Sequence, residues 1–492
     1  MDKNLIIIMV DQQKTNSLPI YGNNLVKTPN LVDLASNGTI FKNAFTSCPL
    51  CVPSRVSLFT GQYPSVHGSV NNDFLYSSRN SNFISILKQH GFETGLAGKN
   101  HCFNDNPEEL FNFYEVCDHF GPISDFQDNQ QMSSRIFLEK SDVLRGAWGC
   151  TKNPFNPKAL VTSWVTDKAI EFVSANQLNN FFLWYSIPDP HVPFHVCEPF
   201  YDMYPVEDIE LPPFNSNEFS KKPKAQFLDY KVMRGDLIQD NEIRKVMSVY
   251  YGMNTFIDSE IGRFFQFLKD LDIYDKSVIV YISDHGEYLG EHKMIRKSKS
   301  AYDCLIKIPL IIKLSKKNQL KNSDLLVSIE DIYPTLCDEL GIEIGENVQG
   351  QSFHDGFFSA DASINSFLYG EYGAHNEPYH SNDLVTCKTP FSSDFHPSLK
   401  KGGYGKMRYI RTERWKFVYY LDDLNELYDL ENDPYELENL FECSEYHSLI
   451  CQLKNNLIDS LNKIKTLYSC MWIMSGGERG IRTLETVSRL HA

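Results

Sequence analysis

No apolar run in this 492-residue chain exceeds strand length; the longest clean stretches resemble LIIIMV near the N-terminus. That excludes a membrane-spanning helix. An excess of basic residues is also missing. The 47 lysines and arginines face 63 aspartates and glutamates, a formal net charge of −16, which argues against a nucleic-acid partner. The N-terminal MDKNLIIIMVDQQ enters a strand pattern at once, without the basic region, apolar core and cleavage site of a signal peptide. Cytoplasm is therefore the expected compartment, and the 12 scattered cysteines are expected as reduced thiols. One C-x-x-C occurs, at Cys48 and Cys51, with no second to complete a zinc site; a thiol redox pair stays open.

What the chain does have is the 42% hydrophobic and 22% charged content of a globular protein, long enough for one large α/β domain and a smaller one. Four apolar runs each read as a buried strand and stop at a residue able to do chemistry. NLIIIMVD ends at Asp11, FETGLAGKNH at His101, NNFFLWYSIPDPH at His191, and KSVIVYISDH at Asp284 and His285. Such runs, separated by helical patterns, predict a mostly parallel sheet covered on both faces. Ligands bind beyond the carboxyl ends of strands in these sheets, so the four ends are expected to share a crevice. Singly, each has an ordinary structural role as a helix cap or turn residue; their joint occurrence points to a site.

Helices are predicted at TPNLVDLASNG, NSNFISILKQHG and residues 240–270. After about Asn365 the pattern shortens to alternating runs such as KMRYIRTERWKFVYYL, which suit a small antiparallel sheet, and a helical pattern around SLICQLKNNLIDSLNKIK closes the chain. The expected division is a catalytic domain over 1–365, a small α+β domain over 366–473, and a disordered tail over 474–492.

The run CVPSRVSLFTG, from Cys51 to Gly61, resembles the sulfatase signature, in which the cysteine is oxidised to formylglycine. The resemblance extends to ELYDLENDPYELENL and implies an alkaline phosphatase-like fold, a formylglycine-generating maturation enzyme as partner, and a sulfated small molecule or carbohydrate as substrate. Cys48 is then an accidental neighbour. At a helix start, Cys-x-Pro-Ser-Arg aims backbone N–H groups and the positive dipole end at an anion, and Arg55 adds a permanent charge.

Asp11, Gln12, Asp284 and His285 match the family's metal-ligand positions, together with the modified Cys51. Hard oxygen ligands favour Ca2+ or Mg2+, and the nitrogen ligand leaves Mn2+ open. The Asp-Gln and Asp-His pairs look more like the choline-sulfatase and phosphonate monoester hydrolase branch than the common Asp-Asp and Asp-Asn pattern. In GKNH, Lys99 would hold the sulfate and His101 would contact the formylglycine hydroxyl and help eliminate sulfate. His191 matches the histidine beside the leaving-group oxygen. Lys297 matches the second sulfate-binding lysine, chosen over Arg296 and Lys299 by its distance to YDCLIKIPLII, and Asn72 matches an asparagine contacting the substrate oxyanion. Phosphonate monoester or phosphodiester hydrolysis on the same fold is the rival, and Lys99 with His101 favours sulfate. A C-x-x-C thiol or metal-binding protein would leave the strand ends unexplained. Loop histidines His195, His375 and His380 are candidates for leaving-group contacts.

Overall fold

The computed structural model describes residues 4–123, 129–141, 149–315, 318–373, 406–421 and 423–475. A nine-stranded sheet forms its centre. In spatial order the strands are Asn322–Ser328, Thr39–Phe45, Leu310–Lys313, Ser277–Ser283, Asn4–Val10, Phe181–Ile187, Glu93–Gly98, Phe113–Asp118 and Gly121–Pro122. Leu310–Lys313 runs antiparallel to both neighbours and the terminal Gly121–Pro122 is also antiparallel, whereas the remaining pairs are parallel.

The continuous apolar runs follow from burial on both faces. In Asn4–Val10, Leu5, Ile7 and Met9 enter one core while Ile6, Ile8 and Val10 enter the other, as the period of two requires. On the first face lie helices Cys51–Thr60, Phe83–Gln89 and Ile332–Leu340 through Val56, Phe59, Leu87 and Leu336. On the second lie Pro29–Asn37, Val161–Asn176 and the 31-residue Asp240–Asp270, through Leu34, Phe172 and Phe264. Asn82 caps Phe83–Gln89 by accepting from Ser85 N at 3.0 Å, which satisfies a donor the helix cannot.

Leu368–Tyr372, Met407–Arg411, Trp415–Tyr420 and Glu426–Asp429 form an antiparallel meander, as the alternating pattern predicts. One face receives Ile450, Leu453 and Leu457 of the closing helix His447–Ser475. The other packs Tyr409, Val418 and Tyr420 on Phe45, Cys48 and Leu50, the segment leading into Cys51. The closing helix passes the boundary expected at residue 473, because its pattern continues to Ser475; residues 476–492 of the expected tail lie outside the described residues. No helix among the described residues is long and apolar enough to cross a membrane.

The same segment is tied down by Glu330, which is fully buried and accepts from the Ser47 and Ser328 hydroxyls. Burial pushes its carboxyl up to about 7 against those two donors. A carboxyl raised in the folded state adds stability that is complete below its ordinary value near 4.5 and is lost as pH rises through 7. Between about pH 5 and about pH 8 this amounts to about 2 to 3 kcal/mol. The variant Glu330→Gln, neutral throughout, should therefore show a flatter dependence of unfolding free energy on pH. Parallel denaturant titrations of the two proteins check it; equal slopes against pH would sink the assignment.

Candidate active site and cation cluster

Ser277–Ser283, Asn4–Val10, Phe181–Ile187 and Glu93–Gly98 are consecutive in the sheet and mutually parallel. Their carboxyl ends therefore lie along one edge, and the residues following them are brought together. Two of those residues hold positive φ without being glycine, Gln12 at 63° and His101 at 37°. Such backbone costs about 1–3 kcal/mol apiece and persists only where its surroundings enforce it. Before Lys99 only glycine fits: Gly98 has φ +114°, and a Cβ there would meet the Ser186 carbonyl oxygen at 1.9 Å.

Helix Cys51–Thr60 enters this edge with no side-chain cap of its own at Leu50. Asn72 supplies one, its Oδ1 accepting from Val52 N at 3.1 Å, so the Nδ2 end of its amide is what it can offer a ligand. Pro53 falls in the first turn, where a missing N–H costs nothing. Ser54 Oγ donates to the Asp284 carbonyl at 2.5 Å. Arg55 Nε donates to Asp284 Oδ2 and Nη2 to Asp11 Oδ2, each at 2.9 Å, while Nη1 reaches the Lys99 carbonyl and Ser186 Oγ. The guanidinium is thus spent on the two carboxylates rather than offered to an anion, which corrects the expectation for Arg55. It is fully buried, and its role is to neutralise and orient Asp11 and Asp284.

Asp11, Cys51, Asp284 and His285 each place a ligand atom within 4.8 Å of the others, all four buried. Burial raises the Asp11 carboxyl, but Lys99 and Arg55 overcome it and hold the group well below the usual range. Asp284 Oδ1 accepts from the backbone N–H of Gln12 at 3.0 Å and of His285 at 2.9 Å. His285 Nδ1 donates to the Gly286 carbonyl at 2.9 Å, which leaves Nε2 unprotonated on the cluster side. Gln12 commits its Nε2 to Glu287, and its Oε1 is buried with no hydrogen-bond partner among the described residues. An orphaned amide oxygen beside two carboxylates and an imidazole fits a hard divalent cation.

Cys51 and Cys48 are both free thiols in opposite environments. Cys48 is pushed far up by burial, with Glu371 adding to it. At Cys51 burial and Asp11 also oppose ionisation, yet Lys297 and Lys99 win and hold the thiol well below its ordinary value. Lys297 Nζ donates to Cys51 Sγ at 2.9 Å and to His285 Nε2 at 2.8 Å. Neither Arg296, whose N–H donates to Glu287, nor Lys299, over the Tyr372 ring, takes that place. Lys99 pairs with Asp11, and His101, whose ring is held below its ordinary value by burial and Lys99, lies near the Cys51 side chain, which works the other way. His191 Nδ1 donates to the Val192 carbonyl at 2.6 Å, leaving Nε2 for a ligand.

His195 does not sit on a rim loop. It lies buried in the short strand Phe194–Val196, paired with Cys150–Lys152, 3.4 Å from Asn153; apolar neighbours on either side draw that segment inward. His375 and His380 lie outside the described residues. One site residue escaped the sequence: His119, whose Nε2 is 3.0 Å from Lys99 Nζ and whose ring stacks on His191 at 3.9 Å. It follows the next parallel strand, Phe113–Asp118. That strand is only half-buried and carries Glu115 and Asp118, so no clean apolar run marked its end.

The sulfatase family profile matches residues 3–342, and that of the N-sulphoglucosamine sulphohydrolase C-terminal region matches residues 400–463. An arylsulfatase of Clostridium perfringens is 27% identical over 487 residues, covering 94% of this chain and 95% of its own. An N-acetylglucosamine-6-O-sulfatase of Bacteroides thetaiotaomicron is 25% identical over 511 residues, with 90% and 83% covered. Among solved structures, a phosphonate monoester hydrolase from Silicibacter pomeroyi superimposes with a TM-score of 0.76 at 21% identity, over 94% of this chain and 95% of that one. The protein BT4656, solved with its substrate D-glucosamine-2-N,6-O-disulfate, gives 0.72 at 21% identity, over 95% and 99%. With its signature cysteine at the meeting point of four parallel strands and the family profile spanning most of its length, the chain belongs to the sulfatase family of sulfuric ester hydrolases.

Proposed function

We propose that the chain hydrolyses a sulfate monoester to an alcohol and inorganic sulfate, using Cys51 after its conversion to formylglycine by a maturation enzyme. The observation that carries this reading is the position of Cys51 Sγ, within reach of Lys297, His285 and Asp11 at once. Sγ stands in for one hydroxyl of the hydrated aldehyde. Formylglycine, when present, supplies that nucleophilic hydroxyl and a second one through which sulfate can be expelled. Asp11, Gln12, Asp284 and His285 would hold a divalent cation, Ca2+ by the preponderance of oxygen ligands, which supplies charge to polarise the sulfate.

The chain's own groups account for the rest. Two carboxylates against Arg55, Lys99 and Lys297 leave the pocket net positive before any cation is counted, suiting a sulfate monoanion in a chain of net charge −16. Lys297 and Lys99 orient sulfate oxygens on two sides. His101, near residue 51, is placed to take a proton there. His191 presents Nε2 to donate a proton to the departing oxygen. Burial and Lys297 hold its ring well below the ordinary histidine value, so its protonated form depends on the negative charge of bound sulfate.

Phosphonate monoester hydrolysis is the second reading, favoured by Gln12 and His285 and opposed by Lys99 and His101. Sulfate release from aryl, choline and sugar sulfates, measured beside a phenyl phosphonate monoester, tests the choice. Far faster turnover of the phosphonate than of every sulfate would overturn the sulfate reading. A graded outcome is expected for His191→Ala: about 10² to 10⁴-fold slower on alkyl sulfates, with a smaller loss on aryl sulfates whose phenolates leave unaided. A loss independent of leaving-group acidity would remove His191 from that role.

A further inference from the structure

We propose that His119 is a positioning residue that holds two substrate-facing groups at once, the Lys99 ammonium through a hydrogen bond and the His191 ring through stacking. This rests on the sulfate-ester reading above. Lys99 Nζ has only protons to give, so at 3.0 Å His119 Nε2 must be the acceptor. The ring is then neutral with its proton on Nδ1, an atom that is buried and has no partner among the described residues. Burial and Lys99 together keep the ring well below its ordinary pKa, in agreement with that tautomer.

Each contact fixes a degree of freedom that the site needs. Asp11 holds the Lys99 ammonium through one N–H and His119 through a second, and the third N–H is left for a sulfate oxygen. Among the described residues His191 is hydrogen-bonded at Nδ1 alone, to the Val192 carbonyl, about which the ring could still turn. The His119 ring, 3.9 Å away and inclined by 16°, closes off that rotation and sets the direction of His191 Nε2. His119 thus links the sulfate-binding side of the pocket to the leaving-group side.

Two substitutions separate the contacts. His119→Phe keeps a flat ring for His191 and removes the acceptor: KM for sulfate esters should rise about tenfold, whatever the leaving group. His119→Gln keeps an acceptor oxygen and removes the ring: kcat should fall about tenfold on alkyl sulfates and less than about twofold on aryl sulfates. In a Lys99→Met background, His119→Phe should add nothing to KM. Independently of turnover, 15N spectra of histidine-labelled wild-type protein should show the His119 ring neutral and protonated at Nδ1, changing in Lys99→Met. An Nε2–H or doubly protonated ring, or both variants within about twofold of wild type on all substrates, would overturn the proposal. Should either variant fail to fold, the wild-type spectrum decides. If the wild type hydrolyses phosphonates and no sulfate, the sulfate reading fails, while the spectrum and the variants still judge His119 on the phosphonate.

Discussion

Replacing Cys51 by alanine should abolish turnover, by at least about 10³ to 10⁴-fold, the scale on which removing a nucleophile acts. Cys48→Ala, three residues away, should leave kcat/KM within about twofold. The contrast follows from where each thiol lies. Cys51 opens its helix among Lys297, His285 and His101, whereas Cys48 packs in an apolar cluster with Phe45, Leu50 and Tyr409. Only Cys51 is followed by Pro53, Ser54 and Arg55, of which Ser54 and Arg55 tie the helix to Asp284. Peptide mass spectrometry of active protein should find formylglycine at residue 51. Active enzyme carrying only an unmodified thiol there would end the proposed chemistry, and loss of activity in Cys48→Ala would reinstate the thiol pair.

Removal of the cation should be nearly as severe and should be reversible. A chelator is expected to abolish activity, and Ca2+ to restore it more fully than Zn2+, since Asp11, Asp284, Gln12 and a formylglycine hydroxyl would offer oxygen and His285 alone nitrogen. Asp284→Ala should lower metal content from about one ion per chain to about a tenth of that or less. It should also destabilise the fold by about 3–5 kcal/mol, because the buried Arg55 guanidinium loses one of its two carboxylates. Asp284→Asn, which keeps the shape and part of the hydrogen bonding, should lose the metal while unfolding less easily than the alanine variant. Elemental analysis and denaturant titration on both proteins separate the two roles. Full activity in metal-free protein would eliminate the cation site.

The sequence by itself determined the parallel core and the strand ends. LIIIMV, FFLWYSI and SVIVYIS have no polar face, and a strand with no polar face is stable only where both sides are covered. Asp11, His101, His191 and Asp284 were legible because each interrupts such a run or closely follows it. The signature around Cys51 was legible for a related reason, since proline, serine and arginine at those spacings each satisfy a local demand of a buried helix start.

Only the tertiary structure decided which groups meet and which are consumed in meeting. That the four legible strands are neighbours in the sheet is a matter of pairing, and pairing partners distant in sequence leave no local trace. Arg55 reads as a free cation in the sequence, but the fold closes it between two carboxylates, since a buried charge must be paired. The orphaned Gln12 oxygen is a property of how Glu287 captures the other end of its amide. His119 follows a strand too polar to stand out, and it gains its part from Lys99 and His191, which reach it from two other strands. Side-chain periodicity records what each segment must bury. It does not record what another segment brings alongside.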